Sequence, residues 1–381
     1  MAGLYIHVPF CVSRCIYCDF YSNTNLEYKS AYISALLHEM ELRRDYLRGE
    51  SLNTIYFGGG TPSQLQSHDY EQLFNGVYRL FSVSDDPEVT IEANPDDLSC
   101  DYIQSLKSLP VNRVSVGIQS FVDDELRLLN RRHTSVEAVD AVVRCKDAGL
   151  TNISIDLMYG LPGQTVESWE YNLDKAIALD VSHISAYSLT YEEGTAIYNM
   201  MERKEIEPAD DDLYEQLFRL LTGKLADAGF AHYEVSNFAK RSASHPDGCI
   251  SLHNSSYWNG AHYLGLGPSA HSYDGDSRSW NISSVSGYIK ALNEGVAELS
   301  ETERLDEVAK YNDFIITRLR TMWGVSLSEL RREFGEVRER YFLGKSEPFF
   351  CLDMLKKHGD IVKVSEGSLF ISDAIMRDLI A

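Results

Sequence analysis

Apolar positions recur along the chain in two rhythms. From the N-terminus to about residue 190, short runs rich in β-branched residues alternate with longer stretches whose apolar residues return every three to four positions. The short runs predict strands at Gly3–Val8, Thr54–Phe57, Glu88–Glu92, Arg113–Ile118, Asn152–Leu157 and His183–Ser188. Between the first two strands, Ile33, Leu36, Leu37, Met40 and Leu47 fall on one helical face, with Glu39, Glu41, Arg43 and Arg44 mostly opposite. A second helix reads through Tyr70, Leu73, Phe74, Val77, Leu80 and Phe81. Further helical segments are marked by Leu126, Leu128 and Leu129 and by Val136, Val139, Val142 and Val143. Strand and helix in alternation imply an α/β fold with a parallel sheet. Six such units curled together predict a partial, TIM-like (βα)6 barrel, with its site at the C-terminal ends of the strands.

Residues 190 to about 300 are less regular and rich in Tyr, Ser, Asn and Gly, with a helix expected around Asp212 to Ala228. Glu192-Glu193 and Asp210-Asp211-Asp212 read as solvated or capping residues. From about residue 303, helices are expected at Val308–Thr321, Leu327–Phe334 and Phe349–Lys357, then a hairpin of Ile361–Val364 and Ser368–Ile371. The expected division is therefore a barrel with an extension over residues 1–300 and a small winged-helix-like domain over 301–381.

Composition narrows the function. The chain has 381 residues, too many for one growing core. It has no apolar run near the roughly 20 residues that span a bilayer. Met1-Ala2-Gly3-Leu4 runs straight into a predicted strand, so no signal peptide is expected. Seven cysteines, three crowded into one loop and four scattered singly, suit a reducing compartment, and a cytoplasmic location is expected. A formal charge of -22 repels phosphate backbones and argues against nucleic acid as a partner. Arg131-Arg132-His133 is the one basic triplet weighed against this, and it reads as a solvated helix end.

The crowded loop is Cys11-Val12-Ser13-Arg14-Cys15-Ile16-Tyr17-Cys18. Cys-x3-Cys-x2-Cys can hold three irons of a [4Fe-4S] cube, since iron–sulfur clusters select thiolate, and leaves the fourth iron open. A zinc site completed by His7 or a distant Cys is the alternative, although no second Cys-x2-Cys pair exists. Polar or glycine-rich residues follow the second to fifth strands: Gly58-Gly59-Gly60-Thr61-Pro62, Glu92-Ala93-Asn94-Pro95, Gly117-Ile118-Gln119-Ser120, and Asp156 leading to Gly160-Leu161-Pro162-Gly163. The glycines permit close backbone approach, while Glu92, Gln119, Arg131 and Asp156 suit gripping amino, ribose and carboxylate groups.

The cysteine loop resembles that of radical S-adenosylmethionine (SAM) proteins. With Tyr5-x-His7-x-Pro9-Phe10-Cys11, Leu129-Asn130-Arg131 and Ile155-Asp156-Leu157-Met158-Tyr159-Gly160, the chain is similar over nearly its whole length to the oxygen-independent coproporphyrinogen III oxidase family. The resemblance implies that Cys11, Cys15 and Cys18 bind the cluster. It also implies that Tyr5, Gly59, Gly60, Thr61, Glu92, Gln119, Arg131 and Asp156 contact SAM, with Tyr17 meeting the adenine side through its backbone. Two departures select a branch. Phe20 stands where the oxidases carry a further Cys, and His253-Asn254-Ser255-Ser256-Tyr257-Trp258 matches a motif of the family's heme-chaperone branch. There the histidine is the implied heme-iron ligand, with Asn254, Tyr257 and Trp258 beside it, and acceptor hemoproteins are the implied partners. A neutral imidazole suits that role and the aromatics suit a porphyrin face. Gly265-Leu266-Gly267-Pro268-Ser269-Ala270-His271 resembles a segment the oxidases place near a second SAM, but His271 stands where an aliphatic residue is common, which leaves the number of SAM molecules open. His271, His262 and His232 are weaker candidates for a second heme ligand. Oxidative decarboxylation of coproporphyrinogen III is the alternative activity, and a homo-oligomer is compatible with the sequence.

Overall fold

The computed structural model describes residues 2–246, 248–295 and 299–381. Six parallel strands come first: β1 (Ala2–Val8), β2 (Leu52–Gly59), β3 (Val83–Ala93), β4 (Arg113–Gln119), β5 (Ile153–Tyr159) and β6 (His183–Ser188). The helices between them are α1 (Lys29–Leu42), α2 (Ser67–Leu80), α3 (Cys100–Leu106), α4 (Asp123–Leu128), α5 (Ser135–Asp147) and α6 (Val166–Ala178). The six strands lie side by side in sequence order, as the (βα)6 expectation requires. Along them one parity is apolar and fully buried against the helices, for example Leu4, Ile6 and Val8, Val114 and Val116, and Ile153, Ile155 and Leu157.

After α7 (Ala196–Glu202) and α8 (Asp211–Asp227), β7 (Phe230–Glu234) and β8 (Asn237–Lys240) add antiparallel strands beyond β6. The short helix α9 (Leu252–Trp258) follows. Next come β9 (Tyr263–Leu266), β10 (His271–Tyr273), β11 (Ser277–Asn281), α10 (Val285–Glu294) and β12 (Ser300–Arg304). β9 pairs parallel to β1, so the sheet reaches twelve strands among the described residues.

This extension explains why Glu39 is not on a solvated face. The β9–β11 edge and α10 cover that side of α1, and the Glu39 carboxylate, fully buried, accepts from Tyr288 Oη (2.6 Å), Asn281 Nδ2 (2.7 Å) and Gly267 N (2.8 Å). Arg43 reaches the same edge through Gly265 O at 3.1 Å. On α5 the buried positions are Ala138, Ala141, Val142 and Cys145, whereas Val136 and Val143 are exposed. Small residues and Val142, not Val136 or Val143, meet the sheet there.

The C-terminal region has its own core, built from Tyr311, Ile315, Leu330, Phe342, Val362 and Ile375 among others. Its elements are α11 (Glu307–Leu319), β13 (Val325–Ser326), α12 (Leu327–Cys351, kinked at Gly335), β14 (Leu355–His358), β15 (Ile361–Val364) and α13 (Ser372–Leu379). The hairpin sits earlier than expected. Leu355–His358 is its first strand rather than the end of a helix, and Gly359 at φ +60° with Asp360 makes the two-residue turn. Ser368–Ile371 lies in a 3-10 helix instead of a strand. Among the described residues no helix is long and apolar enough to cross a membrane.

Replacing Glu39 by Ala takes a buried acceptor from Tyr288, Asn281 and Gly267 N and the ion-pair partner from Arg43. The expected loss is about 3 kcal/mol, read as a drop in thermal unfolding temperature, while Glu41→Ala on the exposed side should stay within about 0.5 kcal/mol.

Candidate functional site

The cysteine loop is pinned from several sides. Thr61 N donates to Phe10 O (2.7 Å), Cys11 N to Asn23 O (3.1 Å), Ile16 N to Leu129 O (3.3 Å) and Ile197 N to Ile16 O (2.9 Å). Ile16 and Tyr17 pack on a small cluster of Leu129, Met158, Leu161, Leu189 and Ile197. So anchored, Cys11, Cys15 and Cys18 line a cavity of about 620 Å³ at the C-terminal ends of β1–β6. Tyr17, Gly59, Gly60, Thr61, Glu92, Gln119, Arg131 and Asp156 line it too. Tyr5 lies just below them, in a second cavity that shares Gly59, Glu92 and Asp156 with the first.

The sulfurs have polar company. Thr61 Oγ1 donates to Cys11 Sγ at 3.3 Å and Arg131 Nη1 to Cys15 Sγ at 3.4 Å. Burial raises the Cys18 thiol to about 11, so the bare loop holds that thiol protonated. Among the described residues no three His, Cys, Asp or Glu side chains form a group that could hold a single metal ion. A cluster asks for something else, one thiolate for each of three irons.

Arg131-Arg132-His133 is not a solvated helix end. Arg131 turns into the pocket and donates to Gly117 O and to Asn94 Oδ1 (2.8 Å). Arg132 pairs with Asp96 (2.9 Å) and Asp97 (3.0 Å), and His133 is buried against Ile118 O.

The triple glycine is demanded by neighbouring chain more than by a ligand. A Cβ on Gly60 would meet Val8 O at 2.8 Å, and one on Gly59, at φ +102°, would strike the His7 ring at 2.4 Å. The Gly59 amide is already used, donating to Glu92 Oε2 at 3.1 Å. Gln119 holds φ +70° without being glycine, a strained conformation at the mouth of the pocket. Burial raises Glu92 to about 7 and Asp156 to about 6, so both acids lack a counter-charge strong enough to offset desolvation.

The second cavity, about 360 Å³, is the barrel lumen, and α9 forms its floor. Glu88 caps this helix, accepting from His253 N (2.8 Å) and Leu252 N (2.9 Å). His253 is 2% exposed, stacks on Tyr56 at 4.8 Å, and has both ring nitrogens occupied: Nδ1 with Thr54 Oγ1 (2.7 Å) and Nε2 with Tyr257 Oη (2.8 Å). Burial lowers its pKa to about 3, so the ring is neutral. Asn254 lines the same lumen, donating toward Tyr233 Oη at 3.4 Å. Trp258 points elsewhere, into a third cavity of about 680 Å³ between the extension and the C-terminal helices. Tyr257 lines both, so its phenol ring is the partition between them.

The other histidines stand apart from His253. His232 stacks on Phe238 at 4.2 Å, His262 bonds Glu50 at 2.5 Å, and His271 is exposed beside Trp280. Residues not singled out from the sequence are Thr54, Tyr56, Arg113, His183 and Tyr187 on the lumen wall. Their signal was present in the polar every-second positions of the strands.

Three thiols on one loop above a polar barrel mouth define a radical SAM protein, and residues 5–176 match the Radical SAM superfamily. The heme chaperone HemW of Mycobacterium tuberculosis is 32% identical over 99% of this chain and 94% of its own. That of Bacillus subtilis is 33% identical over 98% and 95%. That of Escherichia coli is 37% identical over 71% and 69%. Coproporphyrinogen III oxidase from Escherichia coli shares the fold, with a TM-score of 0.85 at 22% identity over 100% of this chain and 90% of that one. The chain belongs to the HemW family of the radical SAM superfamily. Membership implies an iron–sulfur cluster and SAM, and the all-thiol donor set of the loop fits the cluster.

The sign of Glu92's shift gives a test. A carboxyl raised from 4.5 to about 7 disfavours the ligand-free fold fully above pH 7, and the penalty fades as pH falls toward 4.5. Relative to Glu92→Gln, the ligand-free protein should lose on the order of 2 kcal/mol between pH 5 and pH 8, read as the change in the difference between their unfolding temperatures.

Proposed function

We propose that the protein is a heme chaperone: it binds heme on a scaffold that also carries a [4Fe-4S] cluster and SAM, and passes heme to acceptor hemoproteins. The observation that carries the reading is the placement of the His253 motif. Its Tyr257 and Trp258 wall a cleft of about 680 Å³, and His253 lies one ring behind that wall. This volume is within the usual range for ligand sites. Phe314, Phe334 and Tyr263 add aromatic surface, and Arg338 lies at a rim where Arg278 pairs with Asp313 and Lys310 with Asp276.

In the cofactor pocket, Cys11, Cys15 and Cys18 would hold the cluster, and Glu92, Gln119, Arg131 and Asp156 the SAM. The cluster, when bound, supplies an open iron for the methionine end of SAM. Glu92 would accept from the amino group, and Arg131, already beside Cys15, fixes the loop. SAM uptake should then favour the ionised Glu92, release protons near pH 7, and weaken below it.

At the other end, the Tyr257 phenol is held protonated by burial and donates to His253 Nε2. Nδ1–H then donates to Thr54, which fixes the tautomer with the Nε2 lone pair as the iron-binding one. Nε2 becomes available only when Tyr257 turns aside. We assign the barrel with its extension, residues 1–300, to cofactor and motif, and residues 301–381 to the far wall of the cleft. The seven free cysteines fit work in a reducing cytoplasm, and the acidic chain fits protein acceptors rather than nucleic acid.

Heme titration of the full chain checks this. His253→Ala should lose the Soret shift of iron ligation. Tyr257→Phe, which removes the bond competing for Nε2, should tighten heme about fivefold for a bond worth ~1 kcal/mol. Equal titrations for wild type and His253→Ala remove His253 as ligand, and turnover of coproporphyrinogen at enzyme-like rates would sink the chaperone reading.

A further inference from the structure

One buried charge has no part in either binding role. Arg113 opens β4, is 3% exposed, and lines the lumen below Glu92 and Asp156. Among the described residues its side chain makes no hydrogen bond and no ion pair within 4.0 Å, Glu92 and Asp156 act on its charge only at longer range, and its nitrogens are not sealed from the cavity. A guanidinium has five donors in a planar fork, and leaving all of them unmet inside a protein is strongly disfavoured. The walls around it are hydroxylic where a barrel interior is ordinarily filled by branched apolar side chains. Ser115 and Ser154 are register partners on β4 and β5, and Ser185 follows on β6. The lumen is thus shaped as a compartment for a polar guest with negative charge at its lower end.

We propose that the lower lumen is a binding site for a small carboxylate, with Arg113 as its charge partner and the serine hydroxyls as its wall. A planar monoanion matches the guanidinium fork through two parallel bonds. A phosphate dianion is disfavoured, because Glu92 and Asp156 share the same 360 Å³. The route in runs from the upper pocket, since Gly59, Glu92, Asp156 and Tyr187 line both cavities. The guest occupies the space between the cofactor residues and His253, in contact with neither cysteine loop nor cleft.

The probe is sodium acetate, compared with sodium chloride and sodium phosphate at equal ionic strength, on the full chain. Acetate should raise the unfolding temperature saturably where chloride does not, and phosphate should do less. Arg113→Met should no longer respond to acetate. Arg113→Lys should keep a weakened response. Saturation-transfer NMR to the acetate methyl gives a second readout: the wild-type signal should vanish in Ser115→Leu, which fills the lumen and leaves Arg113 in place. An acetate response equal to that of chloride in wild type, a response that survives Arg113→Met, a methyl signal that survives Ser115→Leu, or a stronger response to phosphate each overturns the assignment.

Discussion

A strand in a closed or nearly closed barrel has one face against the helices and one against the lumen, and here the two faces differ in polarity. On β1 to β6 one parity is aliphatic and sealed. The other carries Tyr5, Tyr56, Glu92, Arg113 and Ser115, Ser154 and Asp156, and His183, Ser185 and Tyr187. Side chains alternate strictly along a strand, so a one-residue slip would bury the acids among aliphatics and open the core to the lumen. The register that makes the fold stable is therefore also the register that makes the interior a binding compartment. Everything functional in the barrel depends on that parity, including the cost of holding Glu92, Asp156 and Arg113 away from bulk water.

The same compartment ties its two ends together. At the top, Glu92 accepts from Tyr56 Oη at 2.7 Å, and at the floor the Tyr56 ring stacks on His253. One side chain thus touches the candidate cofactor residue and the motif histidine at once. A ligand that competes for Glu92 changes what Tyr56 can bond to, and a shift of His253 removes the ring on which Tyr56 rests. This gives a contiguous physical route for coupling, though coupling itself demands two states that both ends bias.

Much of this architecture was legible in the residues. Hydrophobic periodicity located all six barrel strands, since strand parity and helix period leave different marks. The strand-end polar residues converged as expected because parallel βα units place every C-terminal end on one side. What stayed hidden depended on partners distant in sequence. Glu39 looked like a surface acid because the strands that cover it lie more than 220 residues away. Arg132 and His133 looked like a solvated helix end, yet Asp96, Asp97 and the Ile118 carbonyl hold them inward. The hairpin strand Ile361–Val364 was legible, but its partner was placed after it instead of before it, since Gly359-Asp360 turns the chain where a helical run seemed to end. The motif histidine was visible, but nothing in the spacing of His253 and Tyr257 beyond one helical turn said that the phenol would occupy the imidazole.

That occupancy makes α9 the natural moving part. The helix has seven residues, too few to be stable alone, and it is held to its surroundings by the Glu88 cap, the Thr54 bond to His253, the stacked Tyr56 ring and Arg318, which donates to Trp258 O. Each of these is worth roughly 1 kcal/mol, whereas the cysteine loop above is locked by four backbone bonds to four different segments. Freeing His253 from Tyr257 breaks one bond within a single short helix and leaves the cofactor loop untouched. The fold therefore separates a rigid end that suits a cluster from a yielding end that suits a ligand meant to be given away.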